Sequence, residues 1–276
     1  MHIRPNMRPS PCALTIAGLD PSGGAGVFAD LRAFAASHVW GCGAVAVVTV
    51  QSTAGIRSSH PIETRRLLDQ VRELFSHQNV RAIKIGALGS ASNARAIGRW
   101  LGSIDDRVPI VLDPVMRASR GARRVRLLEP GAIPALFSIM KRVAVITPNV
   151  PESQWLLGAT VRTVEDAERA ARALVALGPR AALVKGGHLP SPESTEATTD
   201  VLAVGRRILH FRAPRVKGAL HGTGCVLSSL IAGRLASAGR ADDDAIVEAV
   251  RWAKQKLRRA LAQPLAIGDG LLVVPL

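Results

Sequence analysis

The residues best suited to chemistry lie first in His221-Gly222-Thr223-Gly224-Cys225, which runs into an apolar, small-residue stretch ending at Gly233. Two glycines around a threonine make a turn, and the stretch behind it reads as a helix. A helix opened this way presents unpaired backbone N–H groups, and these with the helix dipole attract an anion. A cysteine in the first turn has its thiolate favoured by the same field. The segment reads as an anion site with a reactive thiol set into it; the alternative is a glycine-rich loop before a core helix with a buried cysteine. Two further groups end apolar runs. Asp113 follows Pro109–Leu112 and is a candidate for metal or phosphate-side work, with a structural turn as the alternative. Asn149 and Glu152, three apart across a loop-to-helix junction, offer two oxygen ligands suited to Mg²⁺, a hard cation. Glu152 as a plain first-turn helix acid is the other reading.

These groups need elements to hold them. Ala13–Ala17 reads as a buried strand ending at Gly18, and the loop Leu19-Asp20-Pro21-Ser22-Gly23-Gly24-Ala25-Gly26 leads to a helix over Val27–Ser37. That loop is neither GxGxxG nor GxxxxGK[ST], so neither a dinucleotide fold nor a P-loop is licensed. Further strands are expected at Gly43–Val50, Ala82–Ile85, Pro109–Leu112, Val143–Ile146 and Ala181–Lys185. Helices are expected at Pro61–His77, Ala91–Leu101, Glu129–Arg142, Val164–Leu177, from Gly222 to about Ser237, and at Asp242–Leu261. Val201–Val204 and Arg207–Phe211 around Gly205 read as a hairpin. Roughly six buried strands without in/out alternation point to a mainly parallel sheet covered on both faces. The hairpin and the strand count argue against an eight-stranded barrel. Gly18, Gln51, Asp113, Asn149 and Lys185 fall at strand C-terminal ends, along one edge of that sheet. With the Gly222–Cys225 anion site they imply phosphoryl transfer, in which the protein contributes geometry and charge.

The 276 residues are 47% hydrophobic and 21% charged, enough apolar material for a sizeable core. No Pro/Gly/Ser-rich linker divides them, so residues 13–276 are expected as one domain behind a loose tail, 1–12. The apolar runs are too short to cross a membrane, and none is expected as a partner. Three widely spaced cysteines fit neither a zinc site nor a disulfide framework and suit a reduced, cytoplasmic setting. The net charge of +15 raises nucleic-acid binding, but the arginines are scattered, aromatics are only 3% and tyrosine is missing, so no nucleic-acid partner is expected.

Taken in order, these segments resemble the hydroxymethylpyrimidine/phosphomethylpyrimidine kinases of thiamine biosynthesis, in the ribokinase superfamily. The matching segments are Ala13–Gly18, Asp20–Gly26, Ala29-Asp30-Leu31, Lys84-Ile85-Gly86, Asp113–Met116, Thr147-Pro148-Asn149 with Pro151-Glu152, Lys185–His188, Ala213–Val216 and His221–Cys225. The resemblance implies a ribokinase-like three-layer α/β/α sandwich using ATP and Mg²⁺. The substrates it implies are an aminopyrimidine alcohol and its monophosphate. On this resemblance Gly222, Thr223 and Gly224 form the anion hole and Cys225 is the base. Asp30 and Gln51 bond the aminopyrimidine, with Gly18, Ala25, Ala87 and Val115 lining its pocket. Asn149, Lys185 and Lys217 serve the nucleotide, Asp113 and Glu152 the metal, and a homodimer is common. Three departures stand out. Ala87 replaces the usual Met and enlarges the pocket. Ser119-Arg120-Gly121-Ala122 replaces a Lys-Ser-Gly-Asp stretch. The segment Val216–Leu220 is short, with Lys217 where a Lys near that position is common. Ala87 keeps a pyridoxine/pyridoxal kinase open as the rival, and the 117–122 segment a non-catalytic pyrimidine-binding protein.

Overall fold

The computed structural model describes residues 10–117, 125–189, 197–216 and 220–276. Lys217, the 119–122 departure and most of residues 189–199, whose polar, Pro- and Ser-containing sequence reads as a loop, lie outside them. Strand β1 (Cys12–Leu19) starts one residue before the expected domain boundary and feeds helix α1 (Gly26–Ala36). There follow β2 (Trp40–Ser52), β3 (Gly55–Pro61), α2 (Thr64–His77), β4 (Val80–Ile85), α3 (Ala91–Leu101), β5 (Ile110–Leu112), α4 (Ile133–Met140), β6 (Val145–Ile146) and α5 (Val150–Leu157). The chain continues through α6 (Val164–Ala176), β7 (Ala181–Val184), β8 (Ala197–Val204), β9 (Arg207–Pro214), β10 (Leu220–His221), α7 (Thr223–Ala238), α8 (Asp243–Leu261) and β11 (Leu272–Val273).

Nine strands form one sheet in the order β3-β2-β1-β4-β5-β6-β7-β8-β9, and β10 pairs with β11 apart from it. The pairs from β2 through β7 are parallel; β3, β8 and β9 add antiparallel edges. Helices cover both faces, which gives the three-layer ribokinase-like sandwich. Leu14, Ile16, Ile83, Ile85, Ile110 and Leu112 face one core, with α2 to α6. Ala13, Ala82, Val111 and Leu183 face the other, with α1, α7 and α8. Because both faces are dry, a strand such as Ile110-Val111-Leu112 carries no polar alternation.

The six buried strands expected are the parallel strands β1, β2, β4, β5, β6 and β7, and the expected hairpin is β8–β9; β3, β10 and β11 come in addition. Strand β3 gives no strand signal in the sequence, because Arg57, Ser58, Ser59 and His60 are an edge strand's polar residues with only Ile56 buried. Among the described residues no helix is long and apolar enough to cross a membrane.

Candidate active site

The strand order reverses direction around β1, so loops after the parallel strands open onto a common crevice. A cavity of about 1560 Å³ occupies it. Single-ligand pockets run to roughly 1,000 Å³, so this one has room for two ligands side by side.

Its centre is the N-terminus of α7. Gly222 takes φ +78°, and no side chain caps the helix, so the first-turn amides face the cavity unpaired. A Cβ on Gly222 would lie 1.9 Å from Gly24 O, and one on Gly24 would lie 2.3 Å from His221 Cδ2. The two glycine loops are thus packed backbone to backbone, which their sequences announced separately but not together. Lys185 Nζ donates to Asp113 Oδ1 at 3.0 Å. The same ammonium would lie 3.0 Å from a Cβ on Gly224. Lys185 therefore stands at the anion site itself. Burial works against its charge, but Asp113 and Glu152 outweigh that and hold the ammonium above its ordinary value.

Asn149 and Glu152 meet, but largely each other. Asn149 Oδ1 accepts from Glu152 N and Glu152 Oε2 accepts from Asn149 N, both at 2.8 Å, a capping box for α5. Glu152 keeps Oε1 for the cavity, while the Asn149 oxygen is engaged. Burial pushes the Glu152 carboxyl up to about 7, against the pull of Lys185. Its folded value lies above the unfolded one, so stability is lost as pH rises through the window between 4.5 and about 7. Glu152→Gln is therefore expected to raise the melting temperature of the ligand-free protein at pH 8 and leave it little changed at pH 5. Among the described residues no group of three His, Cys, Asp or Glu side chains could cage a metal. Asp113 and Glu152 nonetheless fit Mg²⁺, which takes one or two carboxylates and completes its shell with phosphates and water.

At the other end Gly18, Ala25, Gln51, Ala87 and Val115 line the cavity. Val47, Ile56, Ala87 and Leu127 form a small apolar cluster there, backed by Val115. A Cβ on Gly18 would lie 3.0 Å from Val47 Cγ1, so only glycine leaves this floor open. Gln51 Nε2 lies 3.1 Å from His221 Nε2, whose other neighbour is Asp20 Oδ2 at 2.6 Å. The ring N–H points to that carboxylate. Asp20 also accepts from Ser22 and from Ala25 N. Burial pushes its carboxyl up, but the hydrogen bonds from His221 and Ser22 outweigh this and hold it below the ordinary value. Asp20 and His221 sat inside the quoted motifs without a role; only folding shows that they join the two loops.

Two expectations need correction. Asp30 does not line the cavity: fully buried on α1, it accepts from Thr15 Oγ1 (2.6 Å), Lys84 Nζ (2.8 Å) and Ser229 Oγ (2.7 Å). With no exposed surface and its oxygens turned to these three donors, it offers nothing to a ligand in the cavity. Cys225 lines the cavity, but its thiolate is not favoured. Burial pushes the thiol up to about 11; Lys84 and the Gly26 amide pull it down, and Asp113 and Asp30 push it further up. Burial is the largest of these influences, and it leaves the thiol above its ordinary value.

An uncapped helix N-terminus, a Lys–Asp pair against it and an apolar pocket beside it, on this sheet, define a ribokinase-like small-molecule kinase. Residues 20–275 match the family profile described as Phosphomethylpyrimidine kinase. The chain is 38% identical to the hydroxymethylpyrimidine/phosphomethylpyrimidine kinase of Salmonella typhimurium, over 94% of each protein. It is also 38% identical to a thiamine biosynthesis multifunctional protein of Corynebacterium efficiens, over 94% of this chain and about a third (34%) of that longer protein. Among solved structures, phosphomethylpyrimidine kinase from Clostridium difficile aligns with TM-score 0.76 at 31% identity, covering 91% of this chain and 99% of that one. An ADP complex of Bacillus subtilis pyridoxal kinase aligns with TM-score 0.82 at 27% identity over 96% of both. The chain belongs to the phosphomethylpyrimidine kinase family.

Proposed function

We propose that this chain moves the γ-phosphoryl group of ATP to the hydroxymethyl oxygen of 4-amino-5-hydroxymethyl-2-methylpyrimidine, and then a second one to the phosphate of the product. The observation that carries this reading is the bare N-terminus of α7 lying between the Lys185–Asp113 pair and the Gly18–Ala87–Val115 pocket. The γ-phosphoryl group sits at Gly222, Thr223, Gly224 and Cys225, where backbone amides receive its charge. Lys185 and Asn149 face the nucleotide phosphates. Asp113 and Glu152 hold Mg²⁺, which when bound neutralises charge on the phosphates. The acceptor's ring lies over Gly18 and Ala25, beside Gln51, with Ala87 and Val115 against its edge. Its hydroxyl then faces Cys225, which takes the proton as the new O–P bond forms and the bridging β–γ bond breaks. Residues 13–276 act as one catalytic unit, in the cytoplasm and as a homodimer.

Release of ADP with the alcohol and with its monophosphate tests the reading, and the absence of turnover with both defeats it. The pyridoxal reading draws on one observation: Ala87 stands beside Gly18 (a Cβ on Gly18 would lie 3.6 Å from Ala87 Cβ) and leaves room for a pyridine. Ala87→Met is expected to lower turnover of pyridoxal at least tenfold relative to the aminopyrimidine, a discrimination of about 1.4 kcal/mol, within what one or two methylenes achieve. Competition between the two acceptors in one assay measures it.

A further inference from the structure

Lys84 is an ammonium with no exposed surface, set in the cavity wall. Alternation along β4 turns Ile83 and Ile85 to one core and Lys84 to the side of α1 and α7. It donates to Asp30 Oδ2 at 2.8 Å, its one hydrogen-bond partner among the described residues. An ammonium has three donors, so the carboxylate anchors it without using it up. Asp30 is itself held by Thr15 from β1 and by Ser229 from α7. Ser229 lies four residues after Cys225 on α7, so the two share a helix face about 6 Å apart along the axis. The network thus ties β1, β4, α1 and α7 together, one helical turn along α7 from the thiol. A Cβ on Gly86 would come within 2.8 Å of Lys84 Nζ, so the glycine there leaves the ammonium its space.

We propose that Lys84 is a positioning residue for the transfer step: the fixed cation facing Cys225, locked by Asp30, Thr15 and Ser229, that makes the thiol able to give up and take a proton. The proposal rests on Cys225 as the proton acceptor. The charged groups facing Cys225 are Lys84 from β4, Asp30 from α1, Asp113 after β5 and Lys185 after β7, with the Gly26 amide at the start of α1. Of these, Lys84 acts on the thiol most strongly, ahead of Asp113 and Asp30. Asp30 therefore serves as the cation's anchor, and the net effect of the pair on the thiol is that of a positive charge. Burial opposes the Lys84 charge, but Asp30, Cys225 and Asp113 outweigh it and hold the ammonium above its ordinary value.

The test is alkylation of Cys225 by iodoacetamide at pH 8, read peptide by peptide in the full chain without ATP or acceptor. Cys12 and Cys42, 5% and 7% exposed, are internal reporters of an intact fold. Lys84→Met is expected to slow labelling of Cys225 about fivefold; a pKa raised by one unit lowers the thiolate tenfold, and higher nucleophilicity returns part of that. Lys84→Met/Asp30→Asn, which leaves no unpaired buried charge, is expected to remain slower than wild type by a smaller factor. Lys84→Arg, which keeps the cation, is expected to keep the wild-type rate. A purely structural lysine would loosen the turn on removal and speed labelling, the opposite sign. Labelling of Cys225 at or above the wild-type rate in the double variant, with Cys12 and Cys42 still protected, overturns the proposal. Because labelling reads the thiol without turnover, it is separable from failure of the kinase assay.

Discussion

Cys225→Ala is expected to lower kcat with the pyrimidine alcohol by roughly 10²–10⁴-fold, about 3–5 kcal/mol, the usual worth of general base catalysis. The same substitution is expected to cost much less, under tenfold, with the monophosphate as acceptor. The reason is the state of the attacking oxygen. A hydroxymethyl oxygen carries a proton that must leave as the O–P bond forms. A phosphate ester has a second pKa near 6 and is already ionised at neutral pH, so its attack needs no base. The wild-type thiol is pushed up to about 11 by burial, so only a small fraction is thiolate at pH 7.5. Turnover of the alcohol should consequently rise with pH across the neutral and mildly alkaline range in wild type and lose that slope in Cys225→Ala. Binding of the alcohol should change little, since the loss is confined to the transition state. Parallel kcat measurements with the two acceptors check this; equal losses with both would assign Cys225 to the architecture of the anion hole.

Gly222→Ala is expected to abolish turnover of both acceptors, by at least about 10³-fold, because it removes the anion hole itself. Two effects combine. The residue's φ of +78° lies in the left-handed region, which costs a side chain roughly 1–2 kcal/mol. The added Cβ would lie 1.9 Å from Gly24 O and 3.2 Å from Ala25 Cα. Backbone cannot rotate away as a side chain can, so the α7 turn and the Asp20–Gly26 loop must separate. That parts Asp20 from His221 and turns the first-turn amides off the phosphoryl position. The melting temperature should fall with activity. A crystal structure with the α7 turn unmoved, or near-normal kcat, would contradict this account. Comparing the two variants separates proton transfer from charge stabilisation: Cys225→Ala discriminates between acceptors, and Gly222→Ala does not.

Much of the architecture was legible because it repeats a simple rule. A strand buried on both faces is apolar throughout, and the polar residue that ends it marks the ligand edge. Asp113 and Lys185 were found in this way. The edge strand β3 was not, since an edge has only one buried face and Ile56 alone represents it. Asp30 shows the limit more sharply. It sits in a motif shared with pyrimidine kinases, four residues beyond the glycine loop, and its residue type suits an amine. Only the packing of α1 against β4 and α7 shows that its oxygens already serve Thr15, Lys84 and Ser229. Lys84, on a strand whose other residues are apolar, was noticed as part of a motif and given no task.

By itself the sequence determined the order of strands and helices in the parallel half, the glycine turns and the kinase class, because these depend on local pattern and residue type. Tertiary structure alone decided which of the motif residues face the cavity and which face one another. It put Asn149 against Glu152 in a helix cap, Asp20 against His221 across 201 residues of chain, and Lys84 against Asp30. It also reversed the expectation for Cys225. A helix N-terminus lowers a thiol's pKa by its field, which the sequence reveals, whereas burial raises it by desolvation, which depends on everything packed around it. Here burial is the largest influence on the thiol and leaves it above its ordinary value.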